Sequence, residues 1–423
     1  MIRPRKIKAG ALQFVLFIGA LVAVLLFAFV LISHVHAKFR KKSEIFVDLI
    51  RANDAALYQS LQLDGSSQSD ILFTETTKEG KQTEVIREPW GIFEIRKSKV
   101  THGKLTYSKI ALVGHQNEKR PALYLKDRQR PLVVAGRAKI IGDAFLPERG
   151  VKTGNIAGNG YAYQNLVFGK QKRSTEALPK LEELQKKTFY ELSEGNIPIV
   201  SNNNLVQELK SLNNSFSQPI QIIDGTQLIL DGVQLSGHIM IRASQSIVVK
   251  PTTQLKDVVL IAPKIIIASG TQGNFQAFAS KRIEGGRNCS LTYPTVLALV
   301  DQSIKETASL EQVGIHIDKN STVRGVACYL ESHLAKMPLF PNISIAENTL
   351  MMGEIYNQGA LELKGRVEGS VSTTSFIAME QGAIYQNHLY NGQIDIKSLP
   401  NSYAGLLYAN ESPSAVMKWL YLE

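Results

Sequence analysis

The chain has 423 residues, of which 44% are hydrophobic, and its 48 Lys and Arg against 37 Asp and Glu give a formal net charge of +11. Residues 1–200 contain 32 of the basic and 19 of the acidic residues, so the whole positive excess lies in the first half. Such asymmetry is typical of contact with anionic lipid or nucleic acid, but no nucleic-acid-binding motif accompanies it. We therefore expect no nucleic-acid partner, and the composition names neither a reaction nor a ligand.

The most apolar segment lies almost at the N-terminus. After a basic tail, residues 1–8, one polar side chain, Gln13, interrupts the apolar residues 9–32. A bilayer core needs roughly 20 apolar residues, so the segment predicts a transmembrane helix over residues 9–33. A secretory signal peptide is the alternative, but the apolar run is too long and residues 33–37 are a poor cleavage site. Four Lys or Arg lie on each flank, so the orientation rule only slightly favours an extracytoplasmic location for the bulk of the chain.

Residues 34–62 continue the helical pattern as an amphipathic, juxtamembrane stalk. Apolar residues recur there every three or four positions on a charged background. Such a stripe packs either against partner proteins and other copies of the chain, or against the protein's own globular part. The stripe consists of Phe46, Leu49, Ile50, Leu57 and Leu61.

The junction between the basic tail and the apolar helix carries a motif, Gly10-Ala11-Leu12-Gln13-Phe14. Basic residues, this motif and the apolar helix together resemble the N-terminus of type IV pilin-like proteins, particularly minor pilins of the PilX type. The resemblance implies cleavage by a prepilin peptidase between Gly10 and Ala11. Val15 stands where that family carries a glutamate, five residues after the cut.

Residues 63–176 contain short β-rich runs separated by glycines, which mark tight turns. The densest basic patch of the chain lies here, and its cations alternate with apolar residues. This alternation predicts a solvated strand surface, with anionic lipid, an acidic partner or nucleic acid as alternatives. The patch consists of Lys119, Arg120, Lys126, Arg128, Arg130, Arg137 and Lys139.

A helical insertion or linker is predicted over residues 177–214, and a β-solenoid domain over residues 215–423. In the latter, strand-sized apolar triplets recur 18 to 20 residues apart, as from Ile239 to Val259 and from Val248 to Ile266. Repetition at a fixed period is typical of stacked coils. A β-sandwich is the alternative, but its hairpin-turn dipeptides are nearly missing. The predicted fold is therefore mainly β: a parallel β-helix on a long transmembrane and stalk helix.

Residues 361–371, LELKGRVEGSV, resemble the β-helical polymer-forming domains of bactofilins. This resemblance implies stacking, including end-to-end stacking between copies. Solenoids need capped ends, and the apolar residues 416–422, with Trp419, are the predicted cap.

The search for chemistry yields no catalytic residue, no cofactor site and no metal site. Asp224, Asp231 and Asp257 are the acids that a polysaccharide-cleaving solenoid would use, but each is better explained as a turn residue. Cys289 and Cys328 either form a disulfide outside the cytoplasm or stay as buried, unpaired thiols.

Together these features predict a non-enzymatic, single-pass protein of the bacterial inner membrane, with a structural or assembly role in the cell envelope, possessing a pilin-like N-terminus. Its expected partners are the lipid bilayer and proteins or further copies that contact the N-terminal helix. The alternatives are a membrane-anchored polysaccharide-binding or carbohydrate-active β-helix protein, and a cytoplasmic, bactofilin-like polymer.

Overall fold

The computed structural model describes residues 10–63, 71–78, 80–117, 119–194, 210–302, 313–331, 340–409 and 413–420. The predicted basic tail, residues 1–8, lies outside them. The described chain is mainly β, with one long N-terminal helix and a large parallel sheet. Its contacts divide it into two units, Met1–Ser60 with Phe73–Val85 and Ser98–Ser108, and Leu61–Leu72 with Ile86–Lys97 and Lys109–Glu423.

The elements are, in chain order, α1 (Gly10–Leu61), β1 (Ile71–Thr76), β2 (Lys81–Trp90), β3 (Phe93–His102), β4 (Leu105–His115), β5 (Leu123–Leu125), β6 (Leu132–Ala135), β7 (Lys139–Ile141), β8 (Ala144–Leu146), β9 (Val151–Thr153), β10 (Asn155–Ile156), β11 (Asn159–Gly160), β12 (Gln171–Arg173), α2 (Glu183–Glu194), β13 (Ser211–Asn214), β14 (Gln221–Leu230), β15 (Gln234–Gly237), β16 (Ile239–Val249), β17 (Gln254–Ile261), β18 (Lys264–Ile267), β19 (Gln272–Ala279), β20 (Arg282–Gly285), β21 (Ser290–Asp301), β22 (Gly314–Ile317), β23 (Thr322–Glu331), β24 (Ile343–Ile345), β25 (Leu350–Leu363), β26 (Arg366–Glu380), β27 (Ala383–Gln386), β28 (His388–Tyr390), β29 (Gln393–Asp395) and β30 (Ser414–Leu420). A short 3₁₀ helix spans Ile396–Ser398.

Helix α1 covers both the predicted transmembrane segment and the predicted stalk without a break, over 52 residues. Its sequence contains no proline and a single internal glycine, Gly19, so nothing in it interrupts the backbone hydrogen bonds. At 1.5 Å per residue the helix is about 78 Å long, more than twice the thickness of a bilayer core.

A five-stranded sheet has the order β1-β2-β3-β4-β30. Two-residue turns join β2 to β3 and β3 to β4, and each begins with a glycine at positive φ, Gly91 or Gly103, as tight hairpins require. The last strand, β30, runs antiparallel to β4, with Ser414 opposite His115. The segment that we predicted to cap the parallel sheet is therefore an edge strand of another sheet, where Lys109 lies over the ring of Trp419 at 4.1 Å.

The parallel sheet consists of columns in which a strand pairs with the strand two positions later. One column runs through β14, β16, β18, β20, β22 and β24, and another through β13, β15, β17, β19, β21, β23 and β25 to β26. Val248 pairs with Ile266, as the 18-residue spacing predicts. Val259 pairs with Met240, one residue on from Ile239.

Apolar side chains stack along each column and form the core. One ladder joins equivalent positions of the six strands of the first column and of β25, which pairs with its last strand. From the second member of the ladder onward, each side chain is at most 1% exposed. Burial of one such side chain contributes roughly 1.5–3 kcal/mol, so a repeated apolar position stabilises every strand of the column. The ladder is Leu228, Ile247, Ile265, Ile283, Ile315, Ile343 and Leu361.

A second ladder consists of glycines, at a point where three strands approach each other too closely for side chains. Gly325, Gly353 and Gly369 lie in register on β23, β25 and β26. Each has a positive φ, and a Cβ atom on Gly353 would lie 2.0 Å from the carbonyl oxygen of Gly325. No other residue type fits such a position.

Strands early in the chain continue the parallel sheet beyond its last strands. Leu123 of β5 pairs with Val371 of β26, and β7 pairs with β29. Strand β8 then pairs with β5, and β12 with β8. The sheet thus takes strands from both sides of the predicted boundary between residues 176 and 177.

The predicted helical insertion, residues 177–214, contains helix α2 and strand β13, while residues 195–209 lie outside the described residues. Helix α2 packs on the parallel sheet through its buried face, where the ring of Phe189 meets that of Phe278 at 6.4 Å. Its neighbour Leu192 is buried in the same cluster.

Candidate functional site

The N-terminal part of α1 exposes a continuous apolar surface. Its most apolar 18-residue window has a mean hydropathy of 3.2 and no buried residue. Large exposed apolar patches mark interaction or membrane sites, and this one is long enough for a membrane span. Gly10 and Ala11, the predicted processing pair, begin the helix and are both exposed.

The C-terminal part of α1 has a buried face instead. Leu49, Leu57 and Leu61 of the predicted stripe are buried and Ile50 is half-buried, whereas Phe46 is 40% exposed. The ring of Phe46 nevertheless meets that of Tyr107 edge to face at 5.7 Å. Four residues of the predicted stripe thus belong to the first unit, in which Phe46 contacts Tyr107, and Leu61 belongs to the second.

Polar contacts also hold this part of the helix. The amide Nδ2 of Asn53, a buried residue absent from the predicted stripe, donates to the carbonyl oxygen of Ser98 at 2.9 Å. Asp48 pairs with Lys81, whose hydrogen bond and charge lower the pKa of the Asp48 carboxyl. Buried polar groups need such partners, so Asn53 fixes the register of the helix on β3.

A buried ion pair lies beneath residues 403–408. Glu354 of β25 is 1% exposed and pairs with Arg120. Its Oε2 also accepts the backbone N–H of Leu406 at 3.1 Å. Arg120 donates to the carbonyl oxygens of Tyr403 at 3.3 Å and His115 at 2.9 Å. The pair therefore binds three separate chain segments together.

The electrostatics of this cluster follow from its burial. Desolvation raises the pKa of Glu354, and the charge of Arg120 opposes the rise. Desolvation also raises the pKa of Tyr403 well above its usual value. Sequence analysis placed Arg120 in the basic patch and overlooked Glu354. The available signal was a lone carboxylate within the otherwise apolar strand 350–356, since a buried charge requires a partner.

A cleft of about 590 Å³ lies beside α2. Trp90, Phe93 and Met240 contribute apolar walls, a composition typical of ligand pockets. Arg87 pairs with Glu94 on the cleft wall at 3.5 Å. Glu94 also pairs with the buried Arg96 at 3.2 Å, so one carboxylate is shared between two guanidinium groups.

The early strands that extend the parallel sheet bring three basic segments together. The backbone N–H of Asp127 donates to the carbonyl of Thr175 at 2.8 Å, and the N–H of Glu148 donates to Oδ2 of Asp127 at 2.9 Å. The hydrogen bonds that the Asp127 carboxylate accepts from the backbone N–H groups of Glu148 and Gln129 lower its pKa, with that from Glu148 contributing most. We call residues 126–130, 147–152 and 170–175 the basic end.

The three acids of a polysaccharide-cleaving site do not come together. Asp224 forms a two-pronged pair with Arg242, at 2.6 and 2.7 Å, and Asp257 contacts Lys418. Asp231 accepts from Thr252 at 2.5 Å. Within the described residues, no group of three or more His, Cys, Asp or Glu side chains could hold a metal ion.

Cys289 and Cys328 are both free and buried. They belong to different apolar clusters. The backbone N–H of Cys289 donates to the hydroxyl oxygen of Ser321 at 3.1 Å, which precedes β23, whereas Cys328 lies far along that strand, opposite Ala298. A disulfide needs Cα atoms within about 7 Å. Of the two predicted alternatives, a disulfide or buried unpaired thiols, the structure therefore shows buried unpaired thiols. Burial raises the pKa of both.

No known protein family and no curated protein matches the chain. Among solved structures, the competence-associated pilin ComZ from Thermus thermophilus matches over 88% of this chain and 95% of that chain. The two share 9% sequence identity, with a TM-score of 0.20. Similarity at this level carries no argument about the function of this chain.

Proposed function

We propose that this protein is a non-enzymatic, single-pass component of the bacterial inner membrane with a structural or assembly role in the cell envelope, and that its N-terminus is pilin-like. The bulk of the chain lies outside the cytoplasm. Its partners are the bilayer and other proteins or copies that contact the exposed part of α1.

One observation carries the proposal: a single uninterrupted helix has two different environments. The apolar surface that begins at Gly10 is exposed, while Leu49 and Leu57 are fully buried. An exposed apolar surface of this length is unfavourable in water and favourable in lipid. The buried part fixes the membrane segment to a folded unit, so that a force on the globular part reaches the membrane through a continuous rod.

We further propose that the parallel sheet forms a β-solenoid. The pairing of each strand with the strand two positions later, and the apolar ladder from Leu228 to Leu361, support this architecture. Such a body is stiff along its axis because each inner strand is hydrogen-bonded to a strand on either side, which suits a structural role.

The test combines topology and processing. In intact spheroplasts, added protease should digest the chain down to a short N-terminal tether, and full protection would refute the extracytoplasmic location. Coexpression with a prepilin peptidase should yield a chain that begins at Ala11, as read by mass spectrometry. Gly10→Leu should abolish this cleavage, and the matched variant Gly19→Leu should be cut normally. An unprocessed wild-type chain would refute the pilin-like N-terminus and leave the anchor role intact.

The cytoplasmic polymer is less consistent with the charges at the basic end. All three residues of the outermost strand, β12, are exposed, and two of them are Lys172 and Arg173. Cations on an edge strand oppose pairing with another strand, so two copies joined at this end would repel each other. Reduced thiols and full protection from protease would be needed to revive that alternative.

A further inference from the structure

We propose that the basic end is a binding surface for an acidic polysaccharide, one that carries a carboxylate on its sugar rings. This inference rests on the proposed envelope location for the choice of polymer. The surface itself is defined by charges and contacts within the second unit.

The basic end has a large positive excess. Its three segments contain eight Lys and Arg but two acids, Asp127 and Glu148. The carboxylate of Asp127 accepts backbone N–H groups of Gln129 and Glu148, so it stabilises the loop without neutralising a side chain. Glu148 pairs with Arg173 at 2.6 Å, and Lys172 pairs with Asp143 at 3.2 Å.

Of the six other cations, Arg130 donates to Oε1 of Gln386 at 3.4 Å. The remaining five have no ion pair among the described residues. Two of them, Arg128 and Arg149, directly follow the two residues that the Asp127–Glu148 hydrogen bond joins. Lys152 lies on β9, in register with Val133. The other four lie in the loops that border β5, β8, β9 and β12, and hydrogen bonds hold these loops, as from the backbone N–H of Lys126 to the carbonyl oxygen of Thr373 at 3.0 Å. Unpaired cations on segments held in this way attract an anionic polymer. The five are Lys126, Arg128, Arg149, Lys152 and Lys170.

The aromatic residues beside the basic end distinguish between polyanions. Tyr124 and Phe145 stack with ring centroids 5.3 Å apart, and Lys172 lies over Phe145 at 5.3 Å. Both faces of the Phe145 ring are therefore occupied. Single-stranded nucleic acid binds by stacking its bases on free aromatic faces, and this ring offers none.

Sugar rings suit the remaining features. Outward side chains on neighbouring parallel strands lie about 4.8 Å apart, which is close to the length of one sugar ring in an extended polysaccharide. Tyr124, Phe145 and Lys172 occupy such equivalent positions on β5, β8 and β12. A carboxylate on each sugar would meet the unpaired cations, and charged hydrogen bonds of this kind are the strong ones.

The experiment measures binding of the full-length protein, in detergent micelles, to immobilised polygalacturonate. We expect saturable binding that weakens as salt rises, because exposed charges are screened. Neutral dextran of similar length should not bind. The triple variant Arg128→Gln, Arg149→Gln, Lys152→Gln should bind at least about tenfold more weakly, since three of the five unpaired cations are lost.

The matched control removes three exposed lysines elsewhere, by Lys210→Gln, Lys281→Gln and Lys397→Gln. It lowers the net charge equally and should leave binding within about twofold of the wild type. Equal losses in the two triple variants would show a general charge effect and overturn the proposal, as would tighter binding to a poly(dT) oligonucleotide. Protease accessibility is measured separately, so failure here leaves the membrane-anchor proposal standing.

Discussion

The buried pair of Arg120 and Glu354 gives the sharpest prediction about stability. Glu354→Gln keeps an acceptor for the N–H of Leu406 but removes the negative charge, so the guanidinium of Arg120 stays buried without a counter-charge. Arg120→Met removes the guanidinium group and leaves the Glu354 carboxylate buried without a counter-charge. Each single substitution should lower the free energy of unfolding by about 3–5 kcal/mol, the usual cost of breaking a buried pair from one side.

The double variant separates the pair from its neighbours. Once both charges are gone, no unpaired charge remains in the interior. The loss in Arg120→Met with Glu354→Gln should therefore be smaller than the sum of the single losses, with a coupling of about 2 kcal/mol or more. A surface pair serves as the control: Lys319 and Glu347 lie 2.8 Å apart, and both side chains are about half exposed. Lys319→Met should cost less than about 1 kcal/mol.

The assay is guanidinium unfolding of the full-length protein in detergent, followed by the fluorescence of its two tryptophans, Trp90, which is 2% exposed, and Trp419, which is 37% exposed. Single variants that unfold like the surface control would refute the reasoning. So would a double variant whose loss equals the sum of the two single losses, because the pair would then be two independent residues.

Three further predictions concern the fold. Gly353→Ala should destabilise by at least about 3 kcal/mol in the same unfolding assay, since the new Cβ meets a backbone oxygen at positive φ; Gly160→Ala, with nothing within 4 Å of its Cβ, is the control, and equal losses would contradict the close approach. Leu57→Ala should lower the free energy of unfolding by about 2–5 kcal/mol and speed hydrogen exchange in the second half of α1. Tyr58→Ala, at an exposed position, should change neither. Slow exchange in both variants would show that the helix does not depend on the burial of Leu57. The pKa of Asp127 is lowered in the folded protein, so its carboxylate stabilises the fold above the unfolded pKa of about 3.9, and this contribution is lost as pH falls through the folded pKa. Asp127→Ala should therefore melt at a lower temperature than the wild type at pH 7, and at a similar temperature below the folded pKa. A difference in melting temperature that is constant with pH would contradict this.

Local patterns predicted the elements of this fold better than their assembly. The apolar run and the absence of helix breakers before Leu61 predicted the long helix, because both are properties of neighbouring residues. The recurring triplets predicted strands, and Val248 with Ile266 even predicted one pairing. The place of β30 beside β4, by contrast, depends on residues about 300 positions apart, and no local period reveals it.

The same limit explains the errors at the sites. Lys126 and Arg120 look alike in sequence, since each is a cation among apolar residues. One belongs to the exposed basic end, whereas the other lies in the interior because Glu354, more than 200 residues later, pairs with it. Of the predicted stripe of α1, Leu49, Leu57 and Leu61 are buried, whereas Phe46 is 40% exposed. The helix also buries Asn53, Ala56 and Ser60, and the polar Asn53 and Ser60 do not stand out in a pattern based on hydropathy.

The stacking of β5, β7 and β8 on β26 and β29 has a consequence for biosynthesis. Strands β5 and β7 leave the ribosome about 250 residues before β26 and β29, with which they pair. Until those late strands have been made, one edge of β5 and one edge of β7 lack these partners. Closing contacts so distant in sequence is slow. A chain that stops before β26 would therefore leave β5 and β7 without these partners, so we expect the parallel sheet to be completed only near the end of synthesis.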